Sequence, residues 1–190
     1  MSLTMGEYED ESKQEEKHEH NLVYLGQIGL RVTALGTSLA ASCLTFTNKE
    51  NALVYDVPMD AKYSYSSAFK FFAFATAVAS GFALLSLILT LILRWKATLK
   101  GNHHFLFFLH DLVMTMLMVG GTAGATAIGY VAKYGNDHAG WVPICDSFHK
   151  FCHKATLAII LAFLAFFSFL ILTLISAIQS RYHISTAPPS

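Results

Sequence analysis

The sequence predicts an all-α membrane protein, a four-transmembrane-helix bundle with both termini in the cytoplasm. Three observations carry that prediction. Of the 190 residues, 54% are hydrophobic and only 14% charged, with zero net charge, whereas an ordinary soluble domain has roughly 25% charged residues. The apolar residues gather into four proline-free blocks, about 22–46, 68–93, 105–131 and 155–178, each longer than the ~18 residues that mark a membrane-spanning helix. Blocks such as "FFAFATAVASGFALLSLILTLIL" and "ATLAIILAFLAFFSFLILTLISAI" show no polar face at helical spacing, which suits lipid rather than a soluble bundle.

The segments outside the blocks set the ends and the orientation. Residues 1–21 include "GEYEDESKQEEKHEH", with seven acidic residues against two lysines, the composition of a solvated, disordered cytoplasmic tail. The first block follows that acidic stretch rather than a short basic region, so it is expected to be a retained span and not a secretory leader. Residues 179–190 form a short second tail. Lysines and arginines near the span ends divide evenly, six on each side, so the positive-inside rule alone does not orient the chain. The short loop "RWKATLKGNHH" has three basic residues and no acidic one, which favours a cytoplasmic placement. Cys145 and Cys152 share the loop between spans three and four, where an oxidising exterior would let them pair. External loops are therefore expected at about 47–67 and 132–154. The basic residues form no patch for nucleic acid.

Each span carries candidate contact residues. Span one has a stripe of Gly29, Thr33, Gly36, Ala40 and Cys43, and span two repeats Ala73, Ala77 and Gly81. Span three is densest, with Gly120 and Gly124 on one line and Gly121, Ala125 and Gly129 on another. Small residues at four-residue spacing let helices approach closely in lipid. Packing within one bundle is the first expectation, and contact between copies of the chain the second. Span four, with Phe163, Phe166, Phe167 and Phe169, is expected to face lipid.

Two charges lie inside the apolar blocks. Arg31, within "GQIGLRVTALGTSL", sits about nine residues into span one, roughly 13 Å from its start. Asp111 sits about six residues into span three, roughly 9 Å deep. Spans one and three begin on the same side, so the two groups share a depth. Each alone costs about 2.5–3.5 kcal/mol to insert, and mutual pairing removes most of that cost. A structural ion pair is expected, ahead of a transport path. His110 is expected to face another direction, as a packing residue or an interfacial one.

In "ICDSFHKFCHK", Cys145, His149, Cys152 and His153 would share one helical face and resemble zinc-ligand spacing. A disulfide is the favoured alternative. In a continuous helix the two cysteines would stand roughly 10 Å apart, beyond bridging distance, so a disulfide requires the segment to turn before span four. The favoured reading leaves no metal site. Sequence signals for catalysis are absent: there is no Ser-His-Asp set, glycine-rich phosphate loop or carboxylate pair. No enzyme activity and no cofactor are expected.

The chain resembles the plant Casparian strip membrane domain protein (CASP)-like family, a tetraspan group related to MARVEL proteins, over about residues 22–178. The resemblance rests on "LRVTALGTSLAASCLTFTNKE", "YSYSSAFKFFAFATAVASGFALLSL", "FLFFLHDLVMTMLM" and "VAKYGNDHAGWVPICDSFHKFCHKATLAIILAFLAFF". The family's hallmark span-one arginine and span-three aspartate match Arg31 and Asp111. Its external cysteine pair matches Cys145 and Cys152, with Trp141 ahead of them. The resemblance implies a multi-pass plasma-membrane scaffold with cytoplasmic termini that forms homo-oligomers, and hetero-oligomers with related CASP-like proteins, among membrane lipids. Founding members organise an immobile membrane domain that guides cell-wall-modifying enzymes. The first external loop, "TNKENALVYDVPMDAKYSYSS", lacks the phenylalanine-rich signature of those founders, so the chain looks more like CASP-like subfamily 1. The rival readings are a small tetraspan transporter or channel, and a MARVEL-like protein of membrane traffic.

Overall fold

The computed structural model describes residues 3–54, 56–96 and 103–185. Four long helices account for most of it: α1 (Leu3–Phe46), α2 (Ser67–Lys96), α3 (His103–Tyr134) and α4 (His149–Ser185). Each contains a stretch long and apolar enough to cross a membrane: Asn21–Phe46, Ser67–Ile92, Phe105–Tyr134 and His149–Arg181. Lys100, one of the basic residues used to orient the chain, lies outside the described residues, as does the tail beyond Ser185.

Two elements depart from the sequence expectations. The acidic segment, expected to be disordered, continues α1 as helix back to Leu3. Glu, Lys and Gln are good helix formers, and the adjoining span supplies the nucleus that a free peptide must form at a cost. The first loop, which carried no strand expectation, is a β-hairpin of β1 (Lys49–Val54) and β2 (Val57–Lys62), antiparallel with Val54 opposite Val57. Asp56 in its turn has φ +60, a left-handed conformation that Asp tolerates better than most residues. Pro58 lies opposite Leu53, and a two-stranded ribbon has only edge strands, where a missing N–H is tolerated.

The helices touch in ring order, α1 with α2, α2 with α3, α3 with α4, and α4 back to α1. At one end of the ring, Gln27 Nε2 donates to Gln179 Oε1 at 3.1 Å, so the two termini share that end. At the other end, Asn48 Nδ2 donates to the Phe151 carbonyl at 2.9 Å.

Small side chains fill much of the interior. Ala34, Ala41, Ala79, Ala83, Ala125, Ala158, Ala162 and Ala165 are buried around Phe72, Met118, Phe169 and Leu172. The expectation for span four changes accordingly. Phe163 and Phe167 are exposed, but Phe169 is buried and Phe166 packs against the core. The alanine line 158–162–165 runs along the inner face of α4, so this helix lies against both α1 and α3. Its phenylalanines drew the sequence reading outward, while the alanines among them carry the close packing.

Candidate functional site: a buried polar cluster and the cap opposite the termini

Because the helices meet in ring order, α1 and α3 face each other across the bundle axis, and Arg31 and Asp111 meet there. Arg31 Nη2 stands 3.0 Å from Asp111 Oδ2, and Nη1 3.2 Å from Oδ1. Relative side-chain exposure is 4% for Arg31 and 0% for Asp111, so both charges are buried and each faces the other. Arg31 Nη1 also donates to Ser86 Oγ of α2 at 2.8 Å, and the guanidinium carbon lies 5.1 Å from the centre of the Phe107 ring. Ser176 Oγ of α4 approaches Asp111 Oδ2 at 3.5 Å. Below the carboxylate, Thr115 Oγ1 donates to the Asp111 carbonyl at 2.7 Å and stands 3.2 Å from Thr173 Oγ1 of α4. The cluster thus draws a polar side chain from every helix.

His110 does not face away. Its Nδ1 lies 3.0 Å from Asp111 Oδ1, and its ring packs 5.6 Å from Phe82 of α2. Asp111 Oδ1 therefore receives Arg31 on one side and the imidazole on the other. Sequence reasoning missed Ser86, Ser176 and Thr173. Depth within the spans is the signal for two of them: Ser86 stands six residues from Ile92 and Ser176 five from Arg181, as Asp111 stands six from Phe105.

The glycines divide into two groups. A Cβ on Gly121 would meet Ala75 Cβ at 2.9 Å, so α2 and α3 are in backbone-close contact there. Gly120 and Gly124 lie against Phe71 and Ala68 of α2, and Gly129 against Ile159 of α4, all at 3.5–3.8 Å. Gly29, Gly36 and Gly81 have nothing within 4 Å of the Cβ position. With Thr33 and Cys43 also exposed and Ala40 half-buried at its edge, the stripe on α1 faces outward from the described bundle.

At the end opposite the termini, Cys145 and Cys152 form a disulfide with Cα atoms 5.7 Å apart. The chain turns before α4, as bridging requires, and Cys152 sits in that helix's first turn. With both sulfurs bonded to each other, neither is a thiolate for zinc. The hairpin docks on the same turn. Glu50 Oε2 accepts from the Phe151 N–H at 2.7 Å, satisfying one of the donors that a helix N-terminus leaves open and placing negative charge at its positive end. Ala61, Phe148 and Phe151 close a small separate core beneath the hairpin, with Ala52, Val54 and Cys152 against it. Trp141 is exposed beyond α3, its N–H and C=O both paired with Asn136.

Comparison with known proteins agrees with this architecture. Residues 20–168 match the Casparian strip membrane protein domain. CASP-like protein 1F1 of Vitis vinifera is 44% identical over 162 residues, covering 85% of this chain and 78% of the relative. CASP-like protein 1F2 of Populus trichocarpa is 39% identical over 178 residues, covering 93% and 98%. CASP-like protein 1F1 of Arabidopsis thaliana is 36% identical over 163 residues, covering 85% and 94%. No solved structure matches the chain. A four-span apolar bundle, matched along most of its length by these relatives, belongs to the Casparian strip membrane protein domain family, within CASP-like subfamily 1.

Proposed function

We propose that this protein is a self-associating scaffold of the plasma membrane, with both termini in the cytoplasm and the hairpin and disulfide outside. The outward stripe Gly29–Thr33–Gly36 carries the reading, because it offers close helix approach that the protein's own bundle does not use. Thr33 Oγ1 bonds to the Gly29 carbonyl at 2.9 Å, so the hydroxyl is satisfied locally and the surface can enter a helix interface dry. Homo-oligomers and mixed oligomers with related CASP-like proteins would place many copies side by side and order the lipid between them. The paired charges at the bundle centre hold each copy to one shape. Cell-wall-modifying enzymes are the partners such a platform would position.

The experiment is oligomeric state in nanodiscs together with photobleaching recovery in cells, for the parent protein and for Gly36→Leu. Slow recovery and a multimeric parent, both lost in Gly36→Leu, support the scaffold. A freely diffusing monomer would sink it. Protease protection of tagged termini in sealed vesicles tests the orientation separately.

A further inference from the structure

The segment after α3 does not rise away from the bundle. The N–H groups of Ile144 and Cys145 both bond to the Ala132 carbonyl, at 2.9 and 3.2 Å, so the chain folds back against the last turn of α3. The Asn136 and Trp141 backbones pair at 2.8 and 3.0 Å. Gly135 (φ +72) makes room for that return, since a Cβ there would stand 2.7 Å from the Trp141 carbonyl oxygen. The disulfide at Cys145 fixes the far side of the segment.

This held segment carries large apolar groups into the open. Trp141 is 55% exposed and Val142 78%, with Ile144 exposed beside them. Ala132, which marks the level of Ile144, lies between Tyr130 and Tyr134 on α3, two exposed and mutually tilted rings with centroids 4.7 Å apart, and Trp141, paired with Asn136, sits just beyond Tyr134. The tyrosines continue the outward face of the same helix, where Val113, Met116 and Val119 are exposed in the spanning stretch. Tyr130 and Tyr134 are four residues apart, about 6 Å along a helix. That distance matches the ~5–8 Å headgroup layer on each side of a bilayer. Trp and Tyr collect at that layer because each has an apolar body and a polar tip.

From this depth and continuity we infer that Trp141, Val142 and Ile144, with Tyr130 and Tyr134, form a lipid-binding anchor seated in the interfacial layer of the leaflet opposite the termini. The loop after α3 is thus part of the membrane-contacting surface and is not free in water. The inference stands apart from the scaffold proposal, since a monomer would seat the loop in the same way.

Trp95 is the second tryptophan, at the opposite end of the bundle, so Trp95→Phe leaves Trp141 as the single reporter in reconstituted liposomes. The expected result is blue-shifted emission, strongly quenched by phospholipids brominated near the carbonyl end of their acyl chains and only weakly by aqueous iodide. Quenching by iodide without quenching by brominated lipid overturns the inference and puts the loop in water. Resistance to both overturns it too, and puts the indole against protein, a second copy included. Adding Val142→Asp, at a position 78% exposed, should raise iodide access to Trp141; unchanged access counts against the anchor.

Discussion

Arg31 makes three hydrogen bonds from two nitrogens, two of them to the Asp111 carboxylate. Removing one partner strands the other as an uncompensated buried charge, which costs about 3–5 kcal/mol in buried pairs. Asp111→Asn and Arg31→Leu should therefore each lower thermal stability sharply in nanodiscs. Exchanging the charges, Arg31→Asp with Asp111→Arg, should recover part of the loss. Ser86→Ala removes one acceptor and leaves the pair intact, so its cost should be nearer the ~0.6 kcal/mol average for hydrogen bonds between membrane helices. Equal losses for Ser86→Ala and Asp111→Asn would show that the pair is not the dominant tie. The pair itself was legible from depth alone, because an isolated charge in lipid needs a partner at its own level. His110 was misjudged because helical geometry points adjacent residues about 100° apart, and that rotation says nothing of a ring folding back onto its neighbour's carboxylate.

Among the elements, α2 and α3 should respond most sharply to a single methyl group. Gly121→Val should destabilise the bundle by about 1–3 kcal/mol, the usual range for overpacking, whereas a Cβ at Gly29 has nothing within 4 Å among the described residues, so Gly29→Val should cost less. Parallel melting curves separate the two positions. The Cys145–Cys152 bond spans a sequence separation of seven, for which chain entropy gives about 2–3 kcal/mol. The double replacement Cys145→Ser with Cys152→Ser should lower stability by about that amount, read by thermal melting.

The hairpin has a pH dependence of its own. Hydrogen bonds from the Lys62 ammonium and the Tyr65 hydroxyl hold the Asp60 carboxyl below its ordinary value. Lys62 is raised, first by its hydrogen bond to Asp60. The carboxylate's contribution is present above the ordinary Asp value of about 3.9 and is lost as pH falls through the lowered one, while the ammonium's is present below about 10.4 and is lost as pH rises through the raised one. Hydrogen exchange of the hairpin amides should be corrected for intrinsic rates and compared between neutral and strongly acidic pH. Protection should fall in acid, and in Asp60→Asn that fall should be smaller. The hairpin escaped the sequence reading because "KENALV" and "VPMDAK" are short, mixed in polarity and interrupted by Pro58. Its stability depends on docking over Phe148 and Phe151, residues a hundred positions away.

For the whole molecule, composition was enough to find four spans, because a bilayer requires long apolar helices and little else satisfies that pattern. It was not enough to arrange them. Span four looked lipid-facing by its phenylalanines, yet in a membrane bulk apolarity does not distinguish inside from outside. The alanines at 158, 162 and 165 were the better guide. The same logic sorts the glycines: those of α3 lie against α2 and α4, and those of α1 and α2 at positions 29, 36 and 81 face outward.

The diagonal placement of Arg31 and Asp111 has a consequence for how the protein is made. Arg31 is synthesised 80 positions before Asp111, so span one can reach the bilayer before its carboxylate partner exists. Ser86 on span two is its first available partner, and the carboxylate arrives only with span three. A nascent chain ending after span two should therefore hold its first helix loosely, sliding toward the headgroups or resting on an insertion chaperone. Extending it through Asp111 should lock that helix in place. Arg31 thereby makes completion of the third span a checkpoint on the first.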